Sequence, residues 1–220
     1  MSAAENLKKL LDEIGNRARL VAVTKTHSPE LIKPLIATGQ LDLGENKVQE
    51  MLDKMPELSP EVKWHMIGHL QTNKVKFIAP FVHLIHSLDS LKLAAEISQH
   101  AQKNKRVIDC LLQIHVAEEP SKFGVGPEEV DKFLDEFQAK NFPGIRICGI
   151  MTMATFTDDT ARVRKEFRLA KSIFDRLKNR EADTLRMDIL SMGMTQDYTL
   201  ALEEGATMLR VGSKIFGARN

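Results

Sequence analysis

A lysine closing an apolar, β-branched run is the first residue that could do chemistry. In Val21-Ala22-Val23-Thr24-Lys25 a two-residue period puts Lys25 on the side of Val21 and Val23. If those valines face an interior, the amine does too. Burial then lowers its pKa and leaves a free base able to condense with an aldehyde. A slip of the alternation at the strand end, leaving Lys25 as an exposed terminus, fits the pattern equally well. Near the other end of the chain, Ser191-Met192-Gly193-Met194-Thr195 and Gly212-Ser213-Lys214 are small-residue segments of the kind that cradle an anion. Glycine lets backbone N–H groups approach a phosphate, and a hydroxyl adds a donor. Arg210 shares a strand face with Gly212, two residues on. A guanidinium has only donors, so it suits a carboxylate, a phosphate or an aromatic nitrogen; an internal salt bridge is the structural alternative.

Two more polar residues follow apolar runs. Asn46, after Gly44-Glu45, has a donor and an acceptor and suits a ring oxygen, while His65, in Trp64-His65-Met66-Ile67-Gly68, either meets a ligand or fills space. The spacings of His65 with His69 and His83 with His86 raise a metal hypothesis. On strands only the first pair shares a face, and no carboxylate or cysteine completes a ligand set, so no metal site is expected. No Gly-x-Ser-x-Gly supports a serine nucleophile.

The elements that must position these residues alternate along the chain. β-type runs at 20–25, 41–45, 63–68, 82–87, 107–116, 146–151, 187–191 and 208–212 are separated by helical periods. The clearest helix spans 160–178, where Val163, Phe167, Ala170, Phe174 and Leu177 form one stripe and the other face is largely basic. That basic face reads as a solvated exterior. Leu7, Leu10, Leu11 and Ile14 mark a helix ahead of the first strand that could cap the bottom of a barrel. Eight such repeats in 220 residues predict a (β/α)8 TIM barrel over 1–220 as a single domain, with an open doubly wound sheet as the runner-up. In a barrel the functional loops follow the C-terminal strand ends, and phosphate commonly binds after strands seven and eight, where both small-residue segments fall.

The balance of 31 basic and 30 acidic side chains argues against nucleic acid as a partner, since phosphate neutralisation needs a basic stripe. No apolar run approaches the roughly 18 residues of a membrane span. The charged N-terminal segment is unlike a secretory signal, so a cytoplasmic protein is expected, with Cys110 and Cys148 as buried, reduced thiols. Balanced charge and the lack of an apolar surface stripe also point to a monomer.

An amine on strand one with a phosphate cup after strands seven and eight suggests pyridoxal 5'-phosphate. The chain resembles the pyridoxal phosphate homeostasis proteins (the YggS or PROSC family), similar to the N-terminal barrel of fold-type III racemases and decarboxylases. The resemblance rests on VAVTK at 21–25, GEN and VQE within 44–50, WHMIGHLQTNK at 64–74, KFG at 122–124, GIMTM at 149–153, LSMGMTQD at 190–197 and RVGSKIFGAR at 210–219. It implies that Lys25 holds the cofactor as an internal aldimine. It also implies phosphate contacts from Ser191, the Gly193 loop, Gly212 and Ser213, and places Arg210 beside the pyridine nitrogen and Asn46 and His65 near the cofactor. The implied role is cofactor homeostasis without robust turnover, with cofactor-requiring apo-enzymes as candidate partners. A small racemase is the alternative. A two-base racemase, however, needs a second acid/base group, which a tyrosine from another domain supplies in fold-type III enzymes. This chain has one tyrosine, Tyr198, predicted on the helix after strand seven, and no residues are expected for a second domain.

Overall fold

The computed structural model describes residues 2–117, 123–180 and 182–217. Lys122 of the KFG motif and Ala218 and Arg219 of the last motif lie outside them. Eight strands, β1 (Arg19–Val23), β2 (Asp42–Glu45), β3 (Lys63–Met66), β4 (Leu84–Leu88), β5 (Ile108–Gln113), β6 (Ile145–Met151), β7 (Leu185–Ser191) and β8 (Met208–Val211), follow one another around a closed barrel. Every pairing is parallel, and β8 closes on β1 with Arg210 opposite Val21, which rules out the open sheet.

The helices are α1 (Ala3–Ile14), α2 (Pro29–Ala37), α3 (Val48–Lys54), α4 (Val75–Ile78), α5 (Leu91–Lys103), α6 (Val130–Lys140), α7 (Thr160–Leu177), α8 (Tyr198–Glu203) and α9 (Ser213–Phe216). Successive strand residues alternate between two cores, as the pleat requires. Leu20, Ala22 and Leu209 face outward into the large core under the helices. Val21, Leu84, Leu111, Cys148, Met151 and Met208 pack within the barrel. Both cysteines are buried free thiols, and burial pushes Cys148 up to about 12.

α1 is closed at its start by a capping box, in which Ser2 and Glu5 satisfy each other's backbone N–H groups. Its buried Leu7, Leu10 and Ile14 set it against α2 and α9. The helix therefore caps the flank of the barrel at the β8–β1 seam, not its bottom. α7 carries its apolar stripe inward as the periodicity requires. Its basic face is laced to acids of neighbouring helices, with Arg164 reaching Glu204 at 2.6 Å and Arg168 reaching the same carboxylate at 3.0 Å. Among the described residues no helix is long and apolar enough to cross a membrane.

Candidate functional site

A cavity of about 810 Å3 opens at the C-terminal ends of the strands, within the size range of small-molecule sites. The inward alternation on β1 carries on into it: Val21 lies in the barrel interior, and Val23 and Lys25 line the cavity. Lys25 sits two residues past β1, in a turn whose next residue, Thr26, adopts a left-handed φ of 68°. That turn is braced from beneath. Thr24 Oγ1 donates to Glu45 Oε1 at 2.6 Å, and Lys54 Nζ donates to the same oxygen at 2.7 Å and to the Thr24 carbonyl at 2.8 Å. Thr26 N–H donates to Glu50 Oε2 at 2.7 Å. Backbone on both sides of Lys25 is thus tied to β2 and α3. Burial raises the Glu45 pKa, against the opposing pull of Lys54 and Thr24.

Asn46 follows β2 directly and also lines the cavity. Gly68 presses on it: a Cβ there would fall 2.3 Å from the Asn46 carbonyl oxygen, so only glycine lets the β3 loop support this rim. Gly212 and Ser213 open α9 after β8, on the other side of β1 from Asn46, and Met194 and Thr195 belong to the loop after β7. A Cβ on Gly212 would sit 3.1 Å from the Val23 carbonyl oxygen and 3.2 Å from Val23 Cβ, so the bare backbone leaves room where β8 crosses the end of β1. Asp197 Oδ1 accepts the Met194 N–H at 2.6 Å and holds that loop; burial raises its pKa.

Arg210 supplies the floor. It is 4% exposed, yet lines the cavity. Nη1 donates to Ser191 Oγ at 2.7 Å and Nη2 to the Thr152 carbonyl at 2.9 Å, leaving other N–H donors of the fork for a ligand. Burial pushes its pKa down to about 10, with Asp197 opposing, so it remains a cation at neutral pH.

Comparison with known proteins bears on this site. The alanine racemase N-terminal domain model matches residues 2–220. The pyridoxal phosphate homeostasis protein of Aquifex aeolicus is 40% identical, covering 100% of this chain and 99% of that protein. Its counterpart in Pseudomonas aeruginosa is 34% identical over 99% and 96% of the two chains. The chain belongs to the pyridoxal phosphate homeostasis family. PipY of Synechococcus elongatus, solved with PLP bound, superposes with a TM-score of 0.88 at 33% identity, covering 98% of this chain and 100% of that one. Alanine racemase of Clostridium difficile, at 15% identity and a TM-score of 0.77, shares the fold alone and is spanned over 56% of its length.

Against that family background, Lys25, Asn46, Arg210, Gly212 and Ser213 converge on one cavity. Three expected contacts do not reach its wall. Ser191 is fully buried on the barrel axis side of β7 and serves as the acceptor for Arg210. Gly193 is consumed by packing. Its φ is 94°, and a Cβ there would lie 2.5 Å from Ala201 Cβ, so it lets α8 close on β8 while Met194 and Thr195 reach the cavity. His65 lies deeper, fully buried, with Nδ1 3.0 Å from His86 Nε2 and Nε2 2.9 Å from Asp42 Oδ1.

Asp42 also corrects the metal reading, because a carboxylate does stand beside the histidines. Asp42, His65 and His83 bring one possible ligand atom each within 4.8 Å. Asp42 is already hydrogen-bonded to His65, and the nearby charges of Arg19 and Lys63 oppose a cation. Lys54, Thr24 and Asp197 were missed as site residues. Thr24, Glu45 and Asp197 do fall inside quoted motifs, and for Glu45 a charged residue at the end of an apolar run was the available signal.

Proposed function

We propose that this chain binds pyridoxal 5'-phosphate at the C-terminal mouth of the barrel, anchored covalently by Lys25, and serves cofactor homeostasis without robust turnover. The convergence of Lys25, Arg210 and the Gly212-Ser213 turn on one cavity carries the reading. It is supported by PLP in the PipY structure and by the name shared by the family relatives. When bound, the cofactor supplies an aldehyde that condenses with a primary amine, releasing water, and a pyridine ring that can accept electrons.

The chain's own residues do the rest. The Thr24–Glu45–Lys54–Glu50 brace fixes the backbone from which Lys25 reaches inward. Gly212 and Ser213 after β8, with Thr195 after the neighbouring β7, offer backbone N–H and hydroxyl donors to the phosphate. Asn46 suits the ring oxygen. Arg210, a cation with donors only, would meet the ring nitrogen of a bound cofactor as a donor and so favour its unprotonated form, a weaker sink for electrons.

A binding role is favoured over the racemase by one observation. Tyr198, the sequence's one tyrosine, is buried and donates to Glu13 Oε2 at 2.5 Å, facing α1 instead of the cavity. Among the described residues, Phe156 at the rim of the cavity is 77% exposed, so that part of the rim meets solvent. Water there hydrolyses reactive intermediates and weakens electrostatic stabilisation. The purified protein should be yellow, with an absorbance band that Lys25→Ala removes. Free amino acids incubated with it should keep their optical activity. Sustained, Lys25-dependent racemisation would replace the binding reading with the enzymatic one.

A further inference from the structure

A line of polar side chains crosses the barrel beneath the cavity floor. Arg210 Nη1 donates to Ser191 Oγ at 2.7 Å, and Ser191 Oγ stands 3.3 Å from His86 Nδ1. His86 Nε2 stands 3.0 Å from His65 Nδ1, and His65 Nε2 stands 2.9 Å from Asp42 Oδ1. Ser191, His86 and His65 have no exposure at all, whereas the Asp42 side chain is 16% exposed at the start of β2, the far end of the barrel from the cavity.

Elementary chemistry fixes the direction of each hydrogen in this line. A guanidinium cannot accept, so Ser191 Oγ accepts from Arg210 and its own hydrogen is free to go to His86 Nδ1. That nitrogen accepts only when bare, so a neutral His86 carries its hydrogen on Nε2 and donates to His65 Nδ1. His65 Nδ1 is then bare as well, and Nε2–H donates to an ionised Asp42. Full burial of both rings favours the neutral forms. One arrangement satisfies all five groups, with every hydrogen pointing from the cation toward the carboxylate. Among the described residues Arg210 has no salt bridge to any carboxylate, and Asp197 acts on it only through space.

We propose that Ser191, His86, His65 and Asp42 are positioning residues. They form a one-way hydrogen-bond chain that locks the Arg210 guanidinium in place and supplies part of its counter-charge from the opposite end of the barrel. This rests on the proposed reading of the cavity, in which Arg210 meets the ring nitrogen of pyridoxal phosphate. Chains of this kind polarise one another in a low-dielectric interior, so the distant carboxylate strengthens the hold on the arginine through the rings between them. The same chain gives the two fully buried histidines of the barrel interior their hydrogen-bond partners.

The tautomers give a test that needs no cofactor. In 15N-labelled protein at pH 7, long-range imidazole correlation spectra should show Nε2 protonated and Nδ1 bare for both His65 and His86. A hydrogen on Nδ1 of either ring, or a doubly protonated ring, overturns the chain. In a second arm, pyridoxal phosphate is titrated into wild type, Ser191→Ala and Asp42→Asn, each checked for folding by circular dichroism. Affinity should fall about tenfold for Ser191→Ala and about threefold for Asp42→Asn, with the absorbance maximum of the bound cofactor displaced in both. Asp42→Glu, which keeps the charge, should recover part of the loss. Wild-type affinities and spectra in both variants would overturn the positioning role even with the expected tautomers. Failure of wild type to bind would instead overturn the reading of the cavity, while the tautomers would still decide the chain.

Discussion

Lys25 and Arg210 could be picked out from residue type and alternation, although the pattern alone left open an exposed strand end for Lys25 and an internal salt bridge for Arg210 until the cavity brought them together. Ser191, expected from its small-residue segment as a phosphate contact, is instead buried beneath the cavity as the acceptor for Arg210, because residue type and segment report small polar character and not how far down the barrel a side chain lies. His65 and His86 were opaque for a related reason: what makes them polar partners is a contact between β3 and β4 and the start of β2 that no local pattern encodes. Their burial has a measurable consequence. The folded-state pKa of His86 is held well below the ordinary 6.5 chiefly by burial, with a protonated neighbour at His65 or Arg210 opposing its charge further; that of His65 is lowered by burial despite Asp42. Below pH 6.5 the unfolded chain takes up protons that these buried rings refuse, so stability falls as pH drops from that value toward the folded pKa values. Each ring contributes about 1.4 kcal/mol per pH unit across its window. Urea unfolding at pH 7.0, 6.0 and 5.5 should show this decline, and its slope should shrink in His86→Gln. A wild-type profile as flat as the variant's would mean that the rings accept protons in the folded state.

Strands and helices were legible in number and order, and less so at their ends. Eight apolar runs became eight strands, and the helix read over 160–178 forms over Thr160–Leu177. The run at 107–116 was read too long, because after Gln113 the chain leaves the sheet and touches Val125 through an isolated bridge at Ile114. The first strand was also read too long, since Lys25 belongs to the turn that Thr26 makes with its positive φ. Strand packing constrains sequence most sharply at Gly149 in β6, within the GIMTM segment. Its φ is 154°, and an added Cβ would lie 1.9 Å from the Ile189 carbonyl oxygen on β7. No rotamer relieves a clash with backbone, so Gly149→Ala must spread β6 from β7 beneath the cavity. It should cost about 3 kcal/mol, read as a lowered urea midpoint. An unchanged midpoint would show that this seam yields more easily than its geometry indicates.

The closed barrel brings the candidate site residues together at one mouth. Lys25 comes from the first strand's end, Asn46 from the second and Arg210 with Gly212 from the eighth, and only closure of β8 on β1 makes the first and last neighbours. The (β/α)8 rhythm could be read from the chain, and with it the side of the barrel on which to look for chemistry. The transverse polar line from Arg210 to Asp42 could not, because it runs across strands through the interior. The central claim is that the amine on the first strand's turn carries pyridoxal phosphate. It is tested most directly by loading the protein with that cofactor, reducing with borohydride and mapping the modified peptide by mass spectrometry. The label should appear on Lys25 in stoichiometric yield and vanish in Lys25→Ala. A label on another lysine, or a wild-type protein that takes up none, would contradict the account.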